Sequence, residues 1–183
     1  MGVGDPGSVT ELVGLFYESL YRYAFRLSGS AADADDLTQE AFCKAQAQFK
    51  QLRDRSRAKP WLFSILRNLY LHRLRAIRLH TTIPLDSVAE PPEELPDTLP
   101  EIDSADLQRA LDELPEVFRS TIILYYFEEF SYRDIAEQMD LPIGTVMSRL
   151  ARAKSFLRDK LLPGTNGTPD KDLQSVRRAK DGL

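Results

Sequence analysis

The chain holds one cysteine, Cys43, two histidines and one tryptophan among its 183 residues. A lone thiol excludes an internal disulfide framework, and two scattered histidines do not make a metal site. No apolar run approaches the roughly 18 residues of a membrane-spanning helix. The opening "MGVGDPGSV" lacks the basic start and apolar stretch of a signal peptide, and Pro6 stands where a myristoylation signal needs Ser or Thr. Also missing are a phosphate-cradling Gly-rich loop, a nucleophile elbow and any His/carboxylate metal spacing. These absences point away from an enzyme. No catalytic residue, cofactor or metal is expected, nor any membrane insertion, and the expected compartment is the cytoplasm.

What is present is an ordinary globular composition, 43% hydrophobic, with a formal net charge of -4. The charge is unevenly spread. Residues 1–80 carry 12 Lys/Arg against 8 Asp/Glu, residues 81–118 carry 1 against 11, and residues 119–183 carry 11 against 9. Within the first part, residues 50–80 hold 9 cations and Asp54 as their one anion. Residues 149–160 hold 5 cations and Asp159. Local basic patches of this kind suit a surface that follows phosphates, although a solvated helix face gives the same pattern.

Periodicity is helical nearly throughout, which predicts an all-α fold. Ser8 with Glu11 is a capping-box pattern opening a helix over 9–27, and Gly29 ends it. Ser30 with Asp33 opens a second helix over 31–49, and Pro60 suits the first turn of a third that runs to about residue 80. Leu62, Ile65, Leu66, Leu69 and Ile77 form the expected buried stripe of that third helix. Cys43 sits inside a helical pattern and is expected to be buried. "TTIPLDSVAEPPEELPDTLPEID", residues 81–103, has five prolines and many carboxylates, too little apolar surface to pack, and reads as a flexible acidic linker. Ser104 then caps a helix to Leu114, Pro115 starts another to Phe127, and Ser131 with Asp134 caps a short one to Met139. A last helix is expected over 143–162, followed by a flexible tail over 163–183. The chain thus reads as two small helical domains, 8–80 and 104–162.

The last helix carries the sharpest functional signal. In "LPIGTVMSRLARAK" and beyond, Val146, Leu150, Ala153, Leu157 and Leu161 fall on one stripe at 100° per residue and face a core. Ser148, Ala151, Arg152 and Ser155 fall opposite, flanked by Met147, Arg149, Lys154 and Arg158. A face of small residues with a few cations lets a helix sit deep in the DNA major groove, where arginine makes a bidentate contact with guanine. "SYRDIAEQMDLP" supplies the other half of a helix-turn-helix. Ala136 is small at the crossing, Asp140 tolerates a left-handed turn, and Val146 anchors the second helix.

"LPEVFRSTIILYYFEEFSYRDIAEQMDLPIGTVMSRLARAKSFLRDKL" resembles the promoter -35-binding domain of bacterial extracytoplasmic-function (ECF) sigma factors, of the sigma-70 family. "DADDLTQEAF" and "WLFSILRNLYLHRLR" resemble that family's other domain, which binds core RNA polymerase and the -10 element. The resemblance covers about residues 8–162, in the family's order and with its spacer. It implies that Thr145, Met147, Ser148, Arg149, Ala151, Arg152 and Ser155 meet the -35 element. It also implies that Lys50, Arg53, Arg55, Arg57, Trp61, Arg67, Asn68, His72 and Arg75 meet the -10 element. The loop from Lys50 to Lys59 would line the pocket for a flipped base. For Trp61, core packing is the equal alternative. Asp36, Gln39 and Glu40, within one helical turn, would dock on the β′ clamp helices of core RNA polymerase, and the second domain on the β flap. A solvated acidic face accounts for the same three residues. The family often carries a basic residue where Met147 stands, and its members are commonly held by an anti-sigma factor.

The implied function is a sigma factor that brings core polymerase to promoter DNA, reads two elements and helps open the strands. The alternative is a conventional helix-turn-helix regulator acting without replacing a sigma factor. That reading calls for a dimerisation or sensing domain.

Overall fold

The computed structural model describes residues 7–79 and 103–162. The expected linker, apart from Asp103, the expected tail and His80 lie outside the described residues, as do the first six. Among the described residues there are seven α-helices, two short 3-10 turns and no strand, so the fold is all-α as the periodicity predicts. The helices fall into two compact units, α1–α3 and α4–α7.

In the first unit α1 spans Val9–Ser28. The Ser8 hydroxyl accepts from the Glu11 N–H at 3.3 Å. Glu11 completes the cap one residue further out than the usual box, its carboxylate accepting from the Gly7 N–H at 2.7 Å. Gly29 ends the helix in the left-handed region, φ 69°, and its N–H returns to the Phe25 carbonyl at 2.8 Å. The helix α2, Ala31–Gln48, begins at once on Ser30, whose hydroxyl accepts from the Asp33 N–H. It runs into a 3-10 turn at Phe49–Gln51 and a second at Arg55–Arg57, from which α3, Ala58–Leu79, departs.

Both α2 and α3 pack on α1 and on each other. Leu12, Leu20, Tyr23, Ala24 and Leu27 come from α1, and Leu62, Phe63 and Leu66 from α3, all fully buried. The Tyr23 and Phe63 rings lie 5.1 Å apart. The seam on α2 is made of small groups, Ala34, Thr38, Ala41 and Ala45, around Leu37, so α2 lies close to its neighbours.

Two burial expectations are corrected here. Ile77 is 62% exposed rather than buried, and none of the side chains from Leu71 to Ala76 is buried either, which places this part of α3 off the core. Phe63 and Tyr70 take the core positions in its stead. Cys43 is exposed, on the outer side of α2. Its spacing from Asp36, Gln39 and Glu40 puts it on their face.

In the second unit α4 spans Ser104–Glu113, α5 Glu116–Tyr126, α6 Tyr132–Met139 and α7 Ile143–Leu161. The cap of α4 is Asp103, accepting from the Ala105 N–H at 3.1 Å, and not Ser104, which is the first helical residue. Pro115 is the N-cap residue of α5. The chain leaves α5 through Glu129 in a left-handed conformation, φ 60°, between buried Phe127 and Phe130. All three of α4, α5 and α6 pack on α7.

Candidate nucleic-acid and docking surfaces

The second unit's surface is set by how α6 hands over to α7. The Asp134 N–H donates to the Ser131 hydroxyl at 3.1 Å, and the Asp134 carboxylate accepts from the Ser131 N–H at 3.2 Å, a reciprocal capping box. Ala136 is buried at the crossing. Asp140 adopts φ 53° and ψ 55°, and the following Leu141 N–H returns to the Ala136 carbonyl at 2.9 Å. Pro142 then caps α7, with Thr145 and Val146 donating to its carbonyl. This is a helix-turn-helix with a closed three-residue turn.

On α7, Val146, Leu150, Ala153 and Leu157 are buried, as the wheel predicts, while Leu161 is half-buried. Met147, Ser148, Ala151 and Arg152 are exposed, and Thr145 and Arg149 half-buried. Ile143 and Gly144, at the head of the helix, extend the exposed face. Ser155 is corrected: it is 9% exposed, not open to a ligand. Arg158 lies over it, donating from Nη2 to the Ser155 hydroxyl at 3.3 Å, and is itself 11% exposed in its side chain. A wheel places a small side chain by angle alone, but a long neighbour one turn on can cover it. Among the residues expected at the -35 element, the last exposed one is therefore Arg152.

In the first unit, Trp61, Asn68, His72 and Arg75 share one face of α3 by their spacing. Asn68, His72 and Arg75 are exposed, and Trp61 and Arg67 half-buried. The loop before α3 is braced from within. Leu52 is buried beneath it, and the Asp54 carboxylate accepts from the Ser56 N–H at 3.0 Å and hydroxyl at 2.6 Å. The Arg55 guanidinium sits 3.8 Å over the Phe49 ring and donates to the Phe49 carbonyl at 3.4 Å. Arg55 and Arg57 are half-buried, whereas Lys50 and Arg53 stand clear. So of the four loop cations, two face outward, and Arg55 also holds the loop's shape.

The outer face of α2 presents Asp36 and Gln39 to solvent. Glu40 is only partly open, because Arg73 of α3 donates to its carboxylate at 2.9 Å and Lys44 lies 3.8 Å away. No local sequence signal marks Arg73, because its partner Glu40 lies on another helix. Among the described residues no helix is long and apolar enough to cross a membrane.

The two units match two family models in chain order: "Sigma-70 region 2" over residues 12–79 and "Sigma-70, region 4" over residues 104–157. The ECF RNA polymerase sigma factor EcfG of Rhodopseudomonas palustris is 36% identical over 139 residues, covering 76% of this chain and 77% of the relative. The chain belongs to the ECF sigma factors of the sigma-70 family. A second relative, the ECF RNA polymerase sigma factor SigE of Mycolicibacterium smegmatis, is 36% identical over 166 residues. That match takes in 86% of this sigma factor and 63% of SigE. The crystallised sigma factor RpoE of Bartonella quintana, solved in complex with the anti-sigma factor NepR, superposes with a TM-score of 0.70 at 31% identity. The superposition covers 85% of this chain and 97% of RpoE. In this sigma factor, then, α1–α3 are region 2 and α4–α7 are region 4.

Proposed function

We propose that this sigma factor recruits core RNA polymerase through the outer face of α2, with Asp36 and Gln39 as contacts and Glu40 beside them. It reads the -10 element with the loop cations Lys50 and Arg53 and the α3 face of Trp61, Asn68, His72 and Arg75. It reads the -35 element with the exposed face of α7. The observation that carries this reading is the left-handed Asp140 turn, which closes a helix-turn-helix whose second helix turns a small, cationic face outward. A surface with that chemistry fits a major groove, and phosphates fit its arginines.

The protein performs no covalent step itself; polymerase supplies the chemistry. Residues 81–103 join the two regions, and at about 3.3 Å per extended residue they are long enough to let region 2 and region 4 sit on separated promoter elements. Region 4 would rest on the β flap while it reads DNA. The work is done where the chromosome is, in the cytoplasm. An anti-sigma partner, as in the Bartonella quintana complex, is the expected means of restraint.

The test is run-off transcription from a genomic-fragment pool, with the purified protein added to sigma-free core polymerase. New discrete start sites that share two upstream elements support the reading. Sequence-specific DNA binding without polymerase, and no new starts with it, would move the assignment to a conventional regulator.

A further inference from the structure

The exposed face of α7 carries one large apolar side chain, on its flank. By helical spacing Gly144, Met147, Ser148 and Ala151 lie on one face, and all four are exposed. Met147 is 53% exposed, among the most exposed large hydrophobic side chains of the described residues. Its neighbours on this face are short. A Cβ added at Gly144 would meet nothing within 4 Å, so the surface beside Met147 is open. The Ser148 hydroxyl already donates to the Thr145 carbonyl at 3.0 Å, turning back onto its own helix. Ile143, 46% exposed and one turn before Met147, widens the apolar surface toward the head of the helix. The one large exposed side chain between Gly144 and Ala151 is thus a thioether. It offers no donor and only a weak acceptor.

The major groove has one apolar feature, the C5-methyl group of thymine. The first turns of a recognition helix are the ones that meet base edges, and Met147 lies in the second turn of α7. We propose that Met147 is a specificity-determining residue that reads a thymine methyl in the -35 element, with Ile143 as its apolar flank. Where a lysine or arginine at this position would select guanine, this sigma factor selects a T·A pair. The inference rests on the reading of α7 as the -35-binding helix and adds the identity of one base to it. A flexible, polarisable side chain suits the task, since it adapts to the methyl without fixed hydrogen-bond geometry.

The experiment uses the full chain bound to core polymerase, on a promoter taken from its own start sites. Each thymine of the -35 element, on either strand, is replaced in turn by deoxyuridine, which removes the methyl and nothing else. One position is expected to lose roughly fourfold in affinity, the worth of one buried methyl. Met147→Ala should bind more weakly and be indifferent to deoxyuridine there, and Met147→Lys should shift the preferred base at that pair toward guanine. Because Met147 is exposed, both variants keep the fold, which circular dichroism verifies. If every thymine tolerates deoxyuridine while a scrambled -35 element is still rejected, the methyl contact is refuted and the role of α7 stands. A deoxyuridine effect that survives in Met147→Ala, or disappears only in Ile143→Ala, assigns the contact elsewhere. Equal binding to intact and scrambled -35 elements by the wild type overturns the reading of α7 itself.

Discussion

Arg73 on α3 donates from Nη2 to the Glu40 carboxylate on α2 at 2.9 Å, across thirty-three residues of chain. The pair joins the helix proposed to dock on polymerase to the helix proposed to face the -10 element. With side chains 35% and 40% exposed it is a screened pair, so its stabilisation is modest. Arg73→Ala should therefore cost up to about 1 kcal/mol in urea unfolding. The double variant Glu40→Arg with Arg73→Glu should recover most of that loss, while its affinity for core polymerase stays depressed. Non-recovery in a double-mutant cycle would show the two side chains do not couple.

Asp36 is exposed one turn before Glu40 on the same helix. Asp36→Arg should lower affinity for core polymerase about tenfold or more, by setting like charges against a basic partner, with no change in the thermal midpoint. Unchanged affinity in the folded variant removes Asp36 from the docking surface.

Arg152 is exposed on α7, one turn after Ser148. Arg152→Ala should weaken binding to the cognate -35 element by roughly 1–3 kcal/mol, the size of one bidentate base contact. Titrations against cognate and scrambled sequences decide its role. Equal losses on both would make Arg152 a phosphate contact.

Asp140 sits at φ 53°, where a side chain is tolerated best if it is short and polar. Asp140→Gly should preserve or raise the melting temperature of region 4. Asp140→Val should cost about 1–2 kcal/mol, because a β-branched residue strains at positive φ. Equal midpoints for the two variants would show that the turn relaxes out of the left-handed region.

Where chain-local chemistry decides the structure, the sequence was legible. Ser8, Gly29, Ser30, Ser131 and Asp140 mark helix ends, and each is found at the end it predicts. The cap of α4 was displaced by one residue because Asp103 and Ser104 are both capping types and periodicity does not choose between neighbours. What could not be read depends on where helices stop against one another. Ile77 continues the apolar period of α3, but none of the described side chains from Leu71 to Ile77 is buried. Ser155 has the right angle for exposure, yet Arg158 covers it. Glu40 has the right face, but its partner lies on another helix. For Cys43 residue type points inward, since cysteines are commonly buried, whereas its spacing from Asp36 places it outside, where it is found.

On α7 the side chains that hold region 4 together and those turned outward do not overlap. Val146, Leu150, Ala153 and Leu157 are inside, and Met147, Ser148, Ala151 and Arg152 outside. On the proposed reading of α7, promoter preference and foldedness can therefore drift independently over generations. A methionine codon becomes a lysine codon by one nucleotide change, and at position 147 that change would touch no core atom. With Met147 reading a base as proposed, a duplicated gene could acquire a different set of target promoters in a single step, without first passing through an unstable protein.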